Sequence, residues 1–192
     1  MEVVPKISII TVCRNDLNCL QKTLASICAQ HFRDFELVII DGASNDGTQE
    51  YLRELQMDNL IYISEPDSGI YDAMNKGVRL ASGSWYFFLN AGDLLYSCKT
   101  LQYVAKKLSR QSEFMCGSVV YNFKKALIET KPQQVINWNT RVLAHQQGVF
   151  IANHVFSFLQ FDQNFKLRAE AAFFYKAYLL GFKYENIYQD RR

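Results

Sequence analysis

With 192 residues, 49% of them apolar, the chain holds enough material for one compact domain with a sizeable core. A formal charge of +2, spread without any dense basic stripe, excludes the electrostatic track that a nucleic-acid backbone requires. Cys13, Cys19, Cys28, Cys98 and Cys116 form no CxxC pair and no metal-ligand spacing, which argues against a disulfide scaffold and a structural zinc site. They are expected to be reduced thiols, mostly small core residues.

The start MEVVPK lacks the basic, apolar and cleavage segments of a signal peptide, and no apolar run approaches the roughly 20 residues that cross a bilayer. A cytoplasmic setting is expected. The 14 Phe and 11 Tyr leave peripheral contact with the inner membrane or with a lipid-linked substrate open, although core packing absorbs aromatic residues more simply.

Ile7 to Val12 is a short β-branched run and predicts a strand; Leu17, Leu20, Leu24 and Ile27 then recur at helical spacing up to Gln30. The pattern repeats. Strands are expected over 35–40, 60–63 and 85–89, and helices over 46–55, 70–80 and 99–108. Strands alternating with helices imply crossover units and a mainly parallel sheet buried on both faces, so the fold class is α/β. Beyond Ser109 the regularity fades into candidate strands at 113–121, 126–130 and 147–151. A helix over 168–180 stopping at Gly181 and a strand over 182–188 close the chain.

In an open parallel sheet, ligands bind beyond the carboxyl ends of the strands, where loops enter helices. Here those ends read TVCRND (11–16), DGASNDG (41–47), SEPDSG (64–69) and NAGD (90–93), and each carries a carboxylate. No GxGxxG follows the first strand and no GxxxxGK[ST] occurs, which excludes a dinucleotide fingerprint and a P-loop. An acid-rich site suits a phosphorylated ligand when a divalent cation stands between them, and carboxylates also accept from base N–H and ribose hydroxyl groups. A sugar nucleotide meets that description.

The segments ISIITVCRND, VIIDGASNDGT, SEPDSGIYDAMNKGVRLASGSWYFFLNAGD and AHQQGVF, in this order and at these separations, resemble the family two glycosyltransferases of bacterial polysaccharide and lipopolysaccharide synthesis. The resemblance covers nearly the whole chain and is strongest over 7–93. It implies the GT-A fold in a single compact domain over 1–192: a Rossmann-like nucleotide-sugar-binding half (1–96) and a mixed acceptor half (97–192). Members of that family often continue with further helices, so a short or truncated form is expected.

The resemblance also implies roles. Thr11 and Cys13 fall where the family contacts the nucleotide base, and Asp41 where it contacts base or ribose. Asp67, Asn75 and Lys76 fall near the donor. Asp46 and Asp67 read equally well as helix caps, and Lys76 as a solvated surface charge. Where the family carries an acidic DxD or DxDD motif, FFLNAGD keeps only its last acid. Asp93 is thus the implied ligand of Mn²⁺ or Mg²⁺, with a helix cap as its competing role, and Asn90 supplies a neutral oxygen or meets a sugar hydroxyl. His145 would touch phosphate, metal or acceptor. Glu170 stands where an aspartate base is common, with apolar neighbours expected to raise its pKa. His31 and His154 are expected to be structural or at the surface, Trp85 in the core, and Trp138 in the core or stacked on a sugar.

The implied reaction moves a sugar, with inversion, from a nucleoside-diphosphate donor (UDP- first, then GDP- or dTDP-) to a glycan or lipid-linked glycan. A non-catalytic sugar-nucleotide-binding protein is the main alternative, because the acidic motif is reduced. A nucleotidyltransferase is the third, but no Gly-rich basic triphosphate loop lies near the N-terminus.

Overall fold

The computed structural model describes residues 6–108, 111–123, 126–132, 145–165 and 167–187. The first half follows the local patterns closely: β1 (Ile7–Cys13), α1 (Leu17–Cys28), β2 (Phe35–Asp41), α2 (Thr48–Glu54), β3 (Leu60–Ser64), α3 (Ile70–Leu80) and β4 (Trp85–Phe88). The second half adds α4 (Thr100–Ala105), β5 (Phe114–Cys116), β6 (Val119–Phe123), β7 (Ala126–Thr130), β8 (Val149–Ala152), α5 (Ala169–Leu179) and β9 (Tyr184–Asn186). Trp138, its neighbours Asn137 and Asn139, and residues 188–192 lie outside the described residues.

One seven-stranded sheet runs β3-β2-β1-β4-β8-β5-β9, and β6 pairs with β7 in a separate antiparallel ribbon. Strands β3, β2, β1 and β4 are parallel, as the alternation predicts, with Cys13 opposite Asp41 and Asp41 opposite Ser64 at their carboxyl ends. Strand β8 runs antiparallel to both β4 and β5, and β9 returns parallel to β5. Burial on both faces holds for β1 and β2, where every residue is buried, but not for β3 at the edge, where Ile61 and Tyr62 are exposed. Edge strands lack the neighbour that completes the cover.

The expected strand 113–121 is two strands. At Gly117 and Ser118 the chain leaves the main sheet for the ribbon. Here Gly117 N–H donates to Gly148 C=O (2.7 Å), an approach so close that a Cβ on Gly148 would lie 2.7 Å from the Gly117 oxygen. The expected strand 147–151 starts later, because Gln146–Gly148 form a 3₁₀ turn before β8. The cysteines differ as well: only Cys13 and Cys116 are buried, and all five are free thiols.

Helix α1 buries Leu20, Thr23, Leu24 and Ile27, the stripe that 3.6-residue periodicity demands, and Asp16 caps it by accepting from Cys19 N–H (3.2 Å). Helix α3 lies close on the sheet because Gly77 has no side chain; a Cβ there would collide with Ile10. At the opposite end of the strands, Glu36 accepts from Ser8 Oγ (2.5 Å), Ser82 Oγ (2.8 Å) and the N–H groups of Ser82 (2.5 Å) and Gly83 (3.1 Å), tying β1, β2 and the α3–β4 turn together. An aromatic cluster joins the halves. Phe161 packs on Phe173 of α5 (ring centroids 4.8 Å apart) and edge-on against Phe88 of β4 (5.2 Å).

Candidate active site

The carboxyl ends of β1, β2 and β3 converge on Asp41. This carboxylate is fully buried and accepts from Ser44 N–H (3.1 Å), Ser44 Oγ, Ser64 Oγ (2.5 Å) and, weakly, Cys13 Sγ (3.8 Å). Burial, reinforced by the adjacent carboxylate, pushes the Cys13 thiol up to about 12, so it stays a neutral donor. Cys13 and Asp41 thus meet at the carboxyl ends of β1 and β2, with Asp41 bracing the loops that follow β2 and β3. Asp67 is brought to the same corner: its Oδ1 accepts from Gly69 N–H (2.9 Å), and its Oδ2 and the Arg14 stem pack against Gly42, where a Cβ would have to displace them. Thr11 is fully enclosed, and its Oγ1 has no hydrogen-bond partner.

Asp46 takes the capping alternative. It accepts from Leu17 N–H (2.9 Å) at the start of α1 and from Thr48 N–H (3.2 Å) and Oγ1 (2.6 Å) at the start of α2; these donors hold its pKa below the usual carboxylate range. Asp67 turns the loop before α3, whereas Asp72, inside that helix, reaches back to Ser68 N–H (3.0 Å).

Two residues expected near the donor are engaged within the protein. Asn75 is buried, and both ends of its amide are committed to the Phe161 backbone: Nδ2 donates to the carbonyl (2.8 Å) and Oδ1 accepts from the N–H (3.0 Å). An amide so used has little left for a diphosphate. Lys76 is neither free for phosphate nor solvated: its ammonium donates to Pro66 C=O (2.7 Å) and sits 2.8 Å from Glu65 and 3.8 Å from Asp72. One carbonyl and two carboxylates engage the ammonium, so Lys76 straps the β3–α3 loop to its own helix.

Beyond β4, Asn90 to Asp93 form a turn closed by Asp93 N–H donating to Asn90 C=O (2.9 Å), with Gly92 at φ 96°. Helix α4 begins only at Thr100, so Asp93 caps no helix. The turn is held from α1, by residues that sequence reading passed over. Thr23 Oγ1 donates to Asp93 C=O (2.9 Å) and accepts from Gly92 N–H (3.0 Å), and Ser26 Oγ accepts from Leu95 N–H (3.2 Å). One helical turn further on, Gln30 donates to Ser97 C=O (2.7 Å) and accepts from Leu101 N–H (3.0 Å). The i, i+3, i+7 spacing of these polar residues, two on α1 and one just past its end, was the available signal.

Asp93 is half-buried, and burial raises its pKa, offset in part by a hydrogen bond with Gln147. In the same turn, Asn90 Oδ1 is buried without a partner. Across from them, Tyr121 Oη lies 2.8 Å from His145 Nδ1, and burial lowers the His145 pKa, favouring the neutral imidazole. A cleft of about 710 Å³ opens from Asp93, Gln147 and Tyr121 between α4 and the β6–β7 ribbon, and it is largely lined by apolar groups including Leu94, Tyr103, Val104 and Leu127. Among the described residues, no three His, Cys, Asp or Glu side chains gather as a ready-made metal cage.

Glu170 lies in the first turn of α5, half-buried, and accepts a hydrogen bond from Tyr71 Oη of α3. Trp85 is in the core; His31 and His154 are exposed.

A family model for Glycosyl transferase family 2 matches residues 8–180. The chain belongs to glycosyl transferase family 2. An uncharacterized glycosyltransferase of Mycobacterium tuberculosis is 28% identical over 197 residues, covering 94% of this chain and 71% of its own length. A PGL/p-HBAD biosynthesis glycosyltransferase of Mycobacterium bovis is 40% identical over 121 residues, 60% of this chain and 47% of its own. Among solved structures, Staphylococcus aureus TarS in complex with UDP-GlcNAc superposes with a TM-score of 0.79 at 18% identity, over 97% of this chain and 59% of TarS. The mannosyltransferase PcManGT of Pyrobaculum calidifontis, in complex with GDP-Man and Mn²⁺, gives 0.74 at 18% identity, over 97% of this chain and 57% of that one. Family two membership and the GT-A fold, both expected from the motifs, are thereby established. This chain spans less than two thirds of those solved chains, and none of its described helices is long and apolar enough to cross a membrane.

Proposed function

We propose that this glycosyltransferase moves a sugar from a nucleoside-diphosphate donor to a hydroxyl of a growing glycan, with inversion and with a divalent cation. The observation that carries this reading is the Asn90–Asp93 turn, braced from α1 so that one carboxylate and one unpartnered amide oxygen stand at the carboxyl edge of the sheet. Those two oxygens fit Mn²⁺ or Mg²⁺, hard cations that prefer oxygen ligands, but they are too few to hold one alone. Diphosphate oxygens and water would complete the shell, so metal and donor bind together. The cation, when bound, neutralises charge developing on the departing diphosphate.

The chain's own residues then divide the work. Cys13, Asp41 and Asp67 shape the nucleotide corner, with Thr11 beneath it. Glu170 takes the acceptor proton as the acceptor oxygen bonds to the anomeric carbon and the nucleoside diphosphate leaves with the electrons of the broken C–O bond. Neutral His145 and Tyr121 face the acceptor or the phosphates. The apolar cleft beside Asp93 suits the aglycone of a lipid-linked acceptor, in keeping with a role at the cytoplasmic side of a membrane in capsule, exopolysaccharide or lipopolysaccharide assembly. UDP- and GDP-sugars are the first donors to try, since TarS is seen with UDP-GlcNAc and PcManGT with GDP-Man.

The absence of a three-ligand cage among the described residues favours one second reading, a sugar-nucleotide-binding protein without turnover. A thermal-shift panel of UDP-, GDP- and dTDP-sugars with and without Mn²⁺, on the wild type and on Asp93→Ala, separates the readings. A ligand that binds the native state raises its midpoint by mass action. A Mn²⁺-dependent rise lost in Asp93→Ala supports the metal site; a rise indifferent to Mn²⁺ and to the substitution refutes it.

A further inference from the structure

We propose that Tyr71 is a positioning residue: from the donor-side helix α3 its phenol holds one oxygen of the Glu170 carboxylate, leaving the other for the acceptor hydroxyl. The inference rests on the reading of Glu170 as the base. Its geometric basis lies in how α5 begins. Tyr71 is only 7% exposed, and its hydroxyl donates to Glu170 Oε2. One hydroxyl thus ties α3 to the side chain in the first turn of α5.

The ring that carries this hydroxyl is itself held. Phe161 stacks on Tyr71 with centroids 6.0 Å apart, is clamped at both backbone groups by Asn75 one turn along α3, and packs in turn on Phe173 of α5. Burial and the neighbouring carboxylate raise the Tyr71 pKa to about 12, so the phenol remains a neutral donor wherever the enzyme works. A glutamate has three side-chain torsions and no fixed aim of its own. Here a rigid aromatic donor from the nucleotide half supplies the aim, which links the base to the same helix that follows the Asp67 loop. This deepens the assignment of Glu170 and gives the buried Asn75 amide a function that direct donor contact does not: it steadies the segment on which Tyr71 leans.

The test compares wild type, Tyr71→Phe, Glu170→Gln and the double variant in hydrolysis of UDP-GlcNAc and GDP-mannose with Mn²⁺, where water replaces the acceptor. Glu170→Gln should lower kcat by about 100-fold or more. Tyr71→Phe should lower it by about 10- to 100-fold with donor KM unchanged, since a displaced base loses transition-state geometry and not donor binding. In the double variant, loss of the phenol should cost nothing further, because its effect passes through the carboxylate. An independent loss there overturns the inference, as does a wild-type kcat in Tyr71→Phe beside an inactive Glu170→Gln. A wild-type kcat in Glu170→Gln removes the base assignment itself, and the inference with it.

A crystal structure of Tyr71→Phe decides the matter without turnover. The inference expects the Glu170 carboxylate to leave its place while the α5 backbone stays. An unmoved carboxylate refutes it.

Discussion

Replacing Thr23 by valine tests whether α1 holds the turn that carries Asp93. The change is nearly isosteric and removes only the hydroxyl, which donates to Asp93 C=O at 2.9 Å and accepts from Gly92 N–H at 3.0 Å. Thr23 is fully buried, but Gly92 is exposed, so water can replace the lost acceptor at the glycine, while the Asp93 carbonyl loses its partner in a half-buried place. Counting one buried group left unsatisfied and one partly compensated bond gives a loss of about 1–2 kcal/mol. At about 2–4 °C per kcal/mol for a domain of this size, the thermal midpoint should fall by about 2–8 °C. The Mn²⁺-dependent part of the donor-induced thermal shift should fall further than the midpoint alone explains, because the turn no longer presents Asp93 in one geometry. Thr23→Ser, which keeps the hydroxyl, should retain the metal response. If Thr23→Val leaves both the midpoint and the metal response at wild-type values, the bracing role assigned to α1 is wrong.

Asp93→Asn should make the metal-free protein more stable than wild type at neutral pH. Burial raises the native pKa of Asp93, so between the ordinary aspartate pKa and the raised one the native state binds more protons than the unfolded state, and stability falls as pH rises through that window. The advantage of the asparagine variant should therefore shrink towards zero below the ordinary aspartate range, as denaturant melts at several pH values would reveal; a constant advantage would contradict the burial argument. Glu36→Gln places an amide NH₂ among four donors that now converge on a carboxylate, with an expected cost of about 2–4 kcal/mol. Because Glu36 lies at the end of the strands remote from Asp93, donor affinity in urea-free buffer should stay at the wild-type level while the urea midpoint drops. Loss of donor binding without loss of stability would reverse that assignment.

The alternation of strand and helix as far as β4 was legible in the residues, because each element advertises itself within about ten positions: β-branched runs for β1 and β2, an apolar stripe for α1. The position of Asp93 at a strand end was legible for the same reason, since FFLNAGD joins an apolar strand to a Gly turn. What each loop carboxylate does was only partly legible. Asp46 and Asp67 offered caps and ligands alike, and the choice depended on which N–H groups the fold delivered to them.

The antiparallel insertion of β8 between β4 and β5 was settled by pairing in space, for a four-residue apolar strand carries no mark of its neighbours' direction. The same holds at the site. Asn75 and Lys76 looked like ligand-facing residues in their segment, yet Asn75 is claimed by a backbone 86 positions away, and Glu170 meets its phenol donor across 99. Local pattern reports which face a residue turns to the core, because periodicity is a property of neighbouring positions. A hydrogen bond between residues so far apart depends on the assembled sheet and packed helices, and only the tertiary structure decides which polar groups are spent within the protein and which remain for a ligand.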